Sequence, residues 1–154
     1  MRSGPVKKVI KPGDSLFKSK LVARVISHVM RNGKKSVAEG VVYGALAKLN
    51  EDKKVALDMF ENAIKNLMPK LEVRSRRVGG ATYQVPQPVR YERSQALAVR
   101  WLIGAARKKK GKPMEEKLAE ELKNAHQGIG DAIKKRDDVH KMAEANKAFS
   151  HFKF

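Results

Sequence analysis

Between residues 71 and 89 the apolar pattern of this chain changes period. On either side the apolar residues recur every three to four positions, the spacing of an amphipathic helix. Within it, LEVRSRRV at 71–78 and TYQVPQPV at 82–89 alternate around Gly79-Gly80. Alternation about a Gly-Gly centre predicts a β-hairpin, because the two-residue turns that match strand twist need positive φ. Pro86 and Pro88 share one parity and have no N–H for a ladder, so the ribbon cannot be the middle of a larger sheet. A lone hairpin is marginal and must lean on something. The chain is thus confined to a helical body with one inserted ribbon.

Six helices are expected around it. From Ser15 to Arg31, Leu21, Val22, Val25, Ile26, Val29 and Met30 share a face, and Asn32-Gly33 ends the helix. Ser36 starts the second, forms a capping box with Glu39, and leads to Val41, Val42, Ala45, Leu46 and Leu49. Asn50-Glu51-Asp52 separates it from a third bearing Val55, Leu57, Phe60, Ile64, Leu67 and Met68, which Pro69 ends. After the hairpin, Ser94 caps a fourth helix running to about Lys108. Pro113 suits the first turn of a fifth, with Met114, Leu118, Leu122 and Ala125 inward and Gly128 as the stop. Asp131 caps a sixth through about Lys147, before the tail AFSHFKF. Residues 1–14 set Gly4, Pro5, Pro12 and Gly13 among Lys7, Lys8 and Lys11, and read as an extended basic arm or equally as a frayed terminus. The expected fold is mainly α. It is one six-helix domain at 15–154, with a protruding two-stranded arm at about 71–90 between the third and fourth helices and an extended basic N-terminal arm at 1–14.

Charge says what such a body meets. Residues 1–35 carry 10 Lys or Arg against 1 Asp or Glu, and residues 70–112 carry 12 against 2. The segments 36–69 and 113–154 are close to balanced, so the net +18 sits in two blocks. Segregation of this kind suits a polyanion, since each phosphate neutralised releases condensed counterions. Aromatic residues make up only 6%, so aliphatic and alanine packing must fill the core. Cysteine is absent, which excludes disulfides, Cys zinc sites and thiol catalysis. No apolar run reaches the roughly 20 residues of a membrane span, and the N-terminus lacks the apolar stretch of a signal peptide.

Three constellations stand out. Arg74, Arg76 and Arg77 lie on the first hairpin strand, with Tyr83 near the turn and Arg90 at the far end. Arginine offers a planar fork for phosphates and stacks on bases; the competing reading is that these charges keep an exposed edge from aggregating. Arg93, Arg100 and Arg107 repeat every seven residues and fall on nearly one helix face, with Gly104 on the same stripe. Close approach of a phosphodiester backbone and close helix packing explain that glycine equally well. Trp101 is expected in the core. Gly33-Lys34-Lys35-Ser36 resembles the end of a phosphate loop, but the earlier glycine is replaced by His28 and no strand precedes it, so nucleotide binding is rejected. A helix start with two lysines remains a good seat for one phosphate. His28, His126, His140 and His151 have no metal-binding spacing, and Glu115, Glu116, Glu120 and Glu121 with Lys117 and Lys123 read as a solvent face. No catalytic group, metal or cofactor is expected, nor a small-molecule substrate.

Four blocks bear a resemblance: GKKS at 33–36, EVRSRRVGGATYQVP at 72–86, RWLIGAARK at 100–108 and DVHKMAEANKAFSHF at 138–152. From about Asp14 to Phe152 the chain resembles the family of the seventh small-subunit ribosomal protein, in its bacterial form. The resemblance implies a helical domain with a protruding hairpin. It implies primary binding to the 3′ major domain of the small-subunit rRNA, nucleation of head assembly, and a place near the exit-site tRNA and the messenger exit. Small-subunit proteins nine and eleven are the implied neighbours, in a cytoplasmic bacterial ribosome rather than an organellar one. By position, the rRNA face would hold Lys7, Lys8, Lys11, Arg31, Lys34, Lys35, Arg74, Arg76, Arg77, Arg90, Arg93, Arg100, Arg107 and Lys108. Gly79, Gly80, Tyr83, Arg136, His140 and Lys141 would face tRNA, messenger or neighbour.

From the residues alone, the leading reading is a structural RNA-binding protein, because phosphate and shape readout by a basic ribbon suits folded RNA. An architectural, nucleoid-type protein with a minor-groove β-arm is the alternative, and dimerisation would favour it. An RNA-modifying enzyme would need a cofactor loop or an acid/base pair, and neither is found.

Overall fold

The computed structural model describes Gly4 and residues 12–152. Among these residues the chain forms α1 (Lys20–Val29), α2 (Lys35–Ala47), α3 (Lys53–Leu67), β1 (Leu71–Val78), β2 (Ala81–Pro88), α4 (Tyr91–Lys108), α5 (Met114–His126), α6 (Asp131–Ala145) and a closing 3-10 helix, Lys147–Phe152. The mainly helical fold with a hairpin between α3 and α4 is therefore as expected. Lys7, Lys8 and Lys11, and with them most of the expected arm, lie outside the described residues.

One apolar cluster joins all six helices. Val22 and Val25 of α1, Val42 and Leu46 of α2, Phe60 and Leu67 of α3, Ala98 and Leu102 of α4, and Leu118 and Ala125 of α5 are fully buried in it, with Ala132 of α6 at its edge. α5 lies against α2, α3 and α4, and α4 also meets α1, α3 and α6. Phe60 is the one fully buried aromatic of the cluster, as the low aromatic content requires. Trp101 is only half-buried and lies outside the cluster, against expectation. Val55, placed on the inner stripe of the third helix by its spacing, is also exposed.

The hairpin pairs Val78 with Ala81, Arg76 with Tyr83, Arg74 with Val85 and Leu71 with Pro88. Gly79 and Gly80 have φ of +55° and +88°, as a type I′ turn needs. In a two-residue hairpin the closing pair is hydrogen-bonded and the pairs alternate from there. Pro86 and Pro88 therefore fall at non-bonded positions and cost the ladder nothing. The ribbon leans on its neighbours: β1 and β2 pack on α6, β2 also packs on the 3-10 helix, and Val85 is fully buried.

The helix starts differ most from expectation. α1 begins at Lys20, not Ser15, because the Asp14 carboxylate accepts from the N–H groups of Leu16 (3.1 Å), Phe17 (2.7 Å) and Ser19 (2.9 Å) and holds 14–19 in a loop. The Ser36–Glu39 capping box does not form; Lys34 occupies the cap position and Glu39 pairs with Lys35 at 3.5 Å. Asp52 does cap α3, accepting from the Lys54 N–H at 3.0 Å. Ser94 lies inside α4 rather than at its cap, and its buried hydroxyl donates to the Pro69 carbonyl at 2.8 Å, tying α4 to the end of α3. Pro113 takes the cap position of α5, one residue before its first turn. Asp131 is the first residue of α6, and Gly130, at φ +104°, precedes it as the cap.

The N-terminus of α6 is served by a carboxylate from another helix. Glu121 is fully buried, not on a solvent face: Oε1 accepts from the Ala132 N–H at 3.0 Å, and Oε2 lies 3.0 Å from the Lys109 ammonium. A Cβ on Gly130 would sit 3.0 Å from that Oε1, so the glycine opens the approach. Burial alone would depress the Lys109 pKa; Glu121 and Glu120 outweigh it and hold the ammonium above its ordinary value of 10.5. Lys109, and then Lys112, hold the exposed Glu120 carboxyl below its ordinary value of 4.5. A raised lysine contributes stability that is complete below 10.5 and lost as pH climbs through the higher folded value. The depressed Glu120 contributes above 4.5 and loses it as pH falls through the lower folded value. The gap in thermal midpoint between the protein and a Lys109→Ala variant should accordingly narrow above pH 10.5. A gap constant to strongly alkaline pH would contradict the pairing.

Candidate nucleic-acid interface

Strand alternation divides the hairpin arginines. Arg74 and Arg76 share a face with their partners Val85 and Tyr83, while Arg77 lies with Thr82 on the other. The first face turns toward the tail. Tyr83 meets the rings of Phe149 and Phe152 at 5.2 and 5.1 Å, and Arg76 donates to the Phe152 carbonyl at 2.7 Å. The three terminal phenylalanines had no assigned role in the sequence; two of them fasten the tail to the ribbon. Arg74 and Arg77 are exposed, and so are Gly79 and Gly80 at the tip.

The helical stripe is likewise divided. Arg93 donates from Nε to both oxygens of Glu72, each at 2.9 Å, bracing the hairpin against α4. Arg100 is exposed on the middle of α4, and Arg90, at the cap position, is exposed too. Arg107 donates to the carbonyls of His28 (3.1 Å) and Val29 (3.3 Å), the unsatisfied C-terminal groups of α1. This contact brings two separately expected sites together. Arg107 joins Arg31 and Lys34 of the α1–α2 turn around an open groove of about 380 Å³ also lined by Met30, Val37, Val41 and Met114. Asn32 and Gly33 shape the turn at φ +52° and +73°. Lys117 also lines the groove. Its acidic neighbours in sequence hid it, yet among the described residues it makes no ion pair with any of them.

Gly104 sits on α4 with open space around it: a Cβ there would meet nothing within 4 Å, so close helix packing does not explain the glycine. Gly104→Ala should raise stability by about 1 kcal/mol. If a phosphodiester backbone lies on this stripe, the same variant should bind RNA more weakly; unchanged or tighter binding would remove that explanation.

On α6 the structure gives Arg136 and His140 internal partners. Arg136 is half-buried, donating to the Asn66 carbonyl and to Asp137 Oδ1, with Nε at 2.8 Å from the latter. His140 Nε2 accepts from the Lys70 N–H at 3.0 Å. Both fasten α6 to the junction between α3 and β1, whereas Lys141 is exposed.

Among the described residues, Arg31, Lys34, Arg77, Arg90, Arg100 and Lys108 have no carboxylate within 4 Å. Also among them, no three His, Cys, Asp or Glu side chains gather as metal ligands, and no helix is long and apolar enough to cross a membrane. The surface offers unpaired cations on a rigid helical frame, which is what phosphate binding needs and acid–base chemistry does not.

The model of the family described as ribosomal protein S7p/S5e matches residues 1–147. The chain belongs to the S7p/S5e family. Its relatives include the small ribosomal subunit protein uS7 of Acholeplasma laidlawii, 51% identical over 97% of this chain and 96% of the relative. The protein of the same name from Pelotomaculum thermopropionicum is 52% identical over 99% of each chain. That of Acinetobacter baylyi is 56% identical over 92% of this chain and 91% of its own. S7p/S5e proteins are ribosomal structural proteins, not an enzyme family. The resemblance carried by the four sequence blocks was thus to the family the chain belongs to.

Proposed function

We propose that this protein is a structural constituent of the small ribosomal subunit. It binds the 3′ major domain of small-subunit rRNA as a primary binder, and so nucleates assembly of the head. On this reading Arg31, Lys34, Lys35, Arg90, Arg100 and Lys108 meet rRNA phosphates along one side of the helical body, and Arg74 and Arg77 do so along the ribbon. Arg76, Arg93 and Arg107 contribute by holding the tail, the hairpin and α1 in place, with spare guanidinium edges for phosphate. The hairpin tip at Gly79-Gly80 and the outer face of α6 around Lys141 lie near exit-site tRNA, messenger and the neighbouring proteins nine and eleven. The ribosome is the cytoplasmic one of a bacterium.

The observation that carries the reading is the convergence of Arg31, Lys34, Arg107 and Lys117 on one groove, in a chain of a ribosomal family. No reaction is required of these groups; they neutralise phosphate repulsion and fix an RNA junction. The protein should sediment with the mass of one chain and form a one-to-one complex with a 3′ major domain transcript. A stable dimer that binds duplex DNA equally well would favour the architectural alternative.

A further inference from the structure

We infer that a second RNA contact, for one unpaired nucleotide, lies where the start of α1, the end of α3 and the start of α4 meet. It rests on the RNA-binding reading above and adds residues that reading does not use. A groove of about 390 Å³ opens there, with Tyr91, Lys18, Lys20, Lys65, Glu61 and Met68 among its lining. Tyr91 is 69% exposed, more than any other large apolar side chain among the described residues. A tyrosine ring left in water at the lip of a groove with an apolar floor is a stacking platform, since every base has a π-face to offer.

The cations around it are placed, not merely abundant. Lys18 has φ +52°, a left-handed conformation that a lysine adopts only when its surroundings impose it. Those surroundings are visible. Asp14 accepts from the N–H groups of Phe17 and Ser19 on either side of Lys18, its own N–H donates to the Ser19 carbonyl at 3.3 Å, and a Cβ on Gly13 would strike the Lys18 backbone. The loop thus projects Lys18 from a fixed point at the groove edge. Among the described residues, Lys18, Lys20 and Lys65 have no carboxylate within 4 Å, although Glu61 lines the same groove. Three ammonium groups suit a phosphate; the single carboxylate suits an exocyclic amine or a 2′-hydroxyl, which donate to it. The base then stacks on Tyr91 with its phosphate among the lysines.

The test uses the full chain and a transcript of the rRNA 3′ major domain, titrated across a salt series. Tyr91→Ala should lower affinity roughly 5- to 150-fold while Tyr91→Phe retains it. Lys18→Gly combined with Lys65→Ala should reduce the log–log salt slope by roughly 1–2. Helicity should hold in all of them, because these three side chains are exposed. If the unaltered protein prefers the transcript but every variant binds with unaltered affinity and slope, this groove is not an RNA contact and a protein partner becomes its better occupant. If the unaltered protein shows no preference for the transcript over scrambled RNA, the functional reading falls and this inference with it.

Discussion

Glu121→Ala should destabilise the protein by about 3 kcal/mol, more than any substitution at the exposed basic positions. Two losses combine. The Lys109 ammonium, whose side chain is 21% exposed, keeps only the half-exposed Glu120 as a partner. The first turn of α6 loses the acceptor that lies 3.0 Å from its Ala132 N–H. For a chain of this size that corresponds to a fall in thermal midpoint of roughly 6–12 °C. Glu121→Gln keeps an oxygen for Ala132 while removing the charge, and should cost about half as much. Equal effects from the two variants would mean that the α6 contact contributes nothing; a negligible effect from both would contradict the buried placement. Because α6 supports both hairpin strands, the alanine variant should also loosen the ribbon, visible as faster amide exchange in β1.

Arg74→Ala with Arg77→Ala should weaken rRNA binding roughly 30- to 100-fold at moderate salt, with helicity unchanged. These are the exposed arginines of β1, and their loss should also lower the salt slope by roughly 1–2. Arg76→Ala is a different experiment. It frees the Phe152 carbonyl and the tail that Phe149 and Phe152 hold on Tyr83, so it should change tail mobility together with affinity. Unaltered affinity in the Arg74/Arg77 variant, with the fold intact, would remove the hairpin from the interface.

These two variants show what could be read in the sequence. The hairpin was legible almost to the residue, because strand period, Gly79-Gly80 and the parity of the prolines are local signals. The helix starts were less so: Ser94 turns to Pro69 and Glu121 reaches across to α6, both tertiary contacts, while at α1 the Asp14 carboxylate folds back locally on its own loop and displaces the start to Lys20. For Glu121 a signal existed. It stands three residues after Leu118 and beside Leu122, on the buried face of α5, but a run of acidic neighbours disguised it. Parity could likewise have separated Arg76 from Arg77. It could not have shown that the phenylalanine tail covers the Arg76 side, nor that Arg107 of α4 and Arg31 of the α1–α2 turn line one groove, since no local pattern encodes either arrangement.

The central claim is specific recognition of rRNA by a basic helical frame. Its most direct test is the affinity for a 3′ major domain transcript against a scrambled RNA of equal length, measured across a salt series. Tight binding to the native transcript alone, with a log–log slope corresponding to roughly 5–10 phosphate contacts, is the predicted result. Equal binding to both RNAs, collapsing together as salt rises, would contradict it and leave a generic polyanion binder.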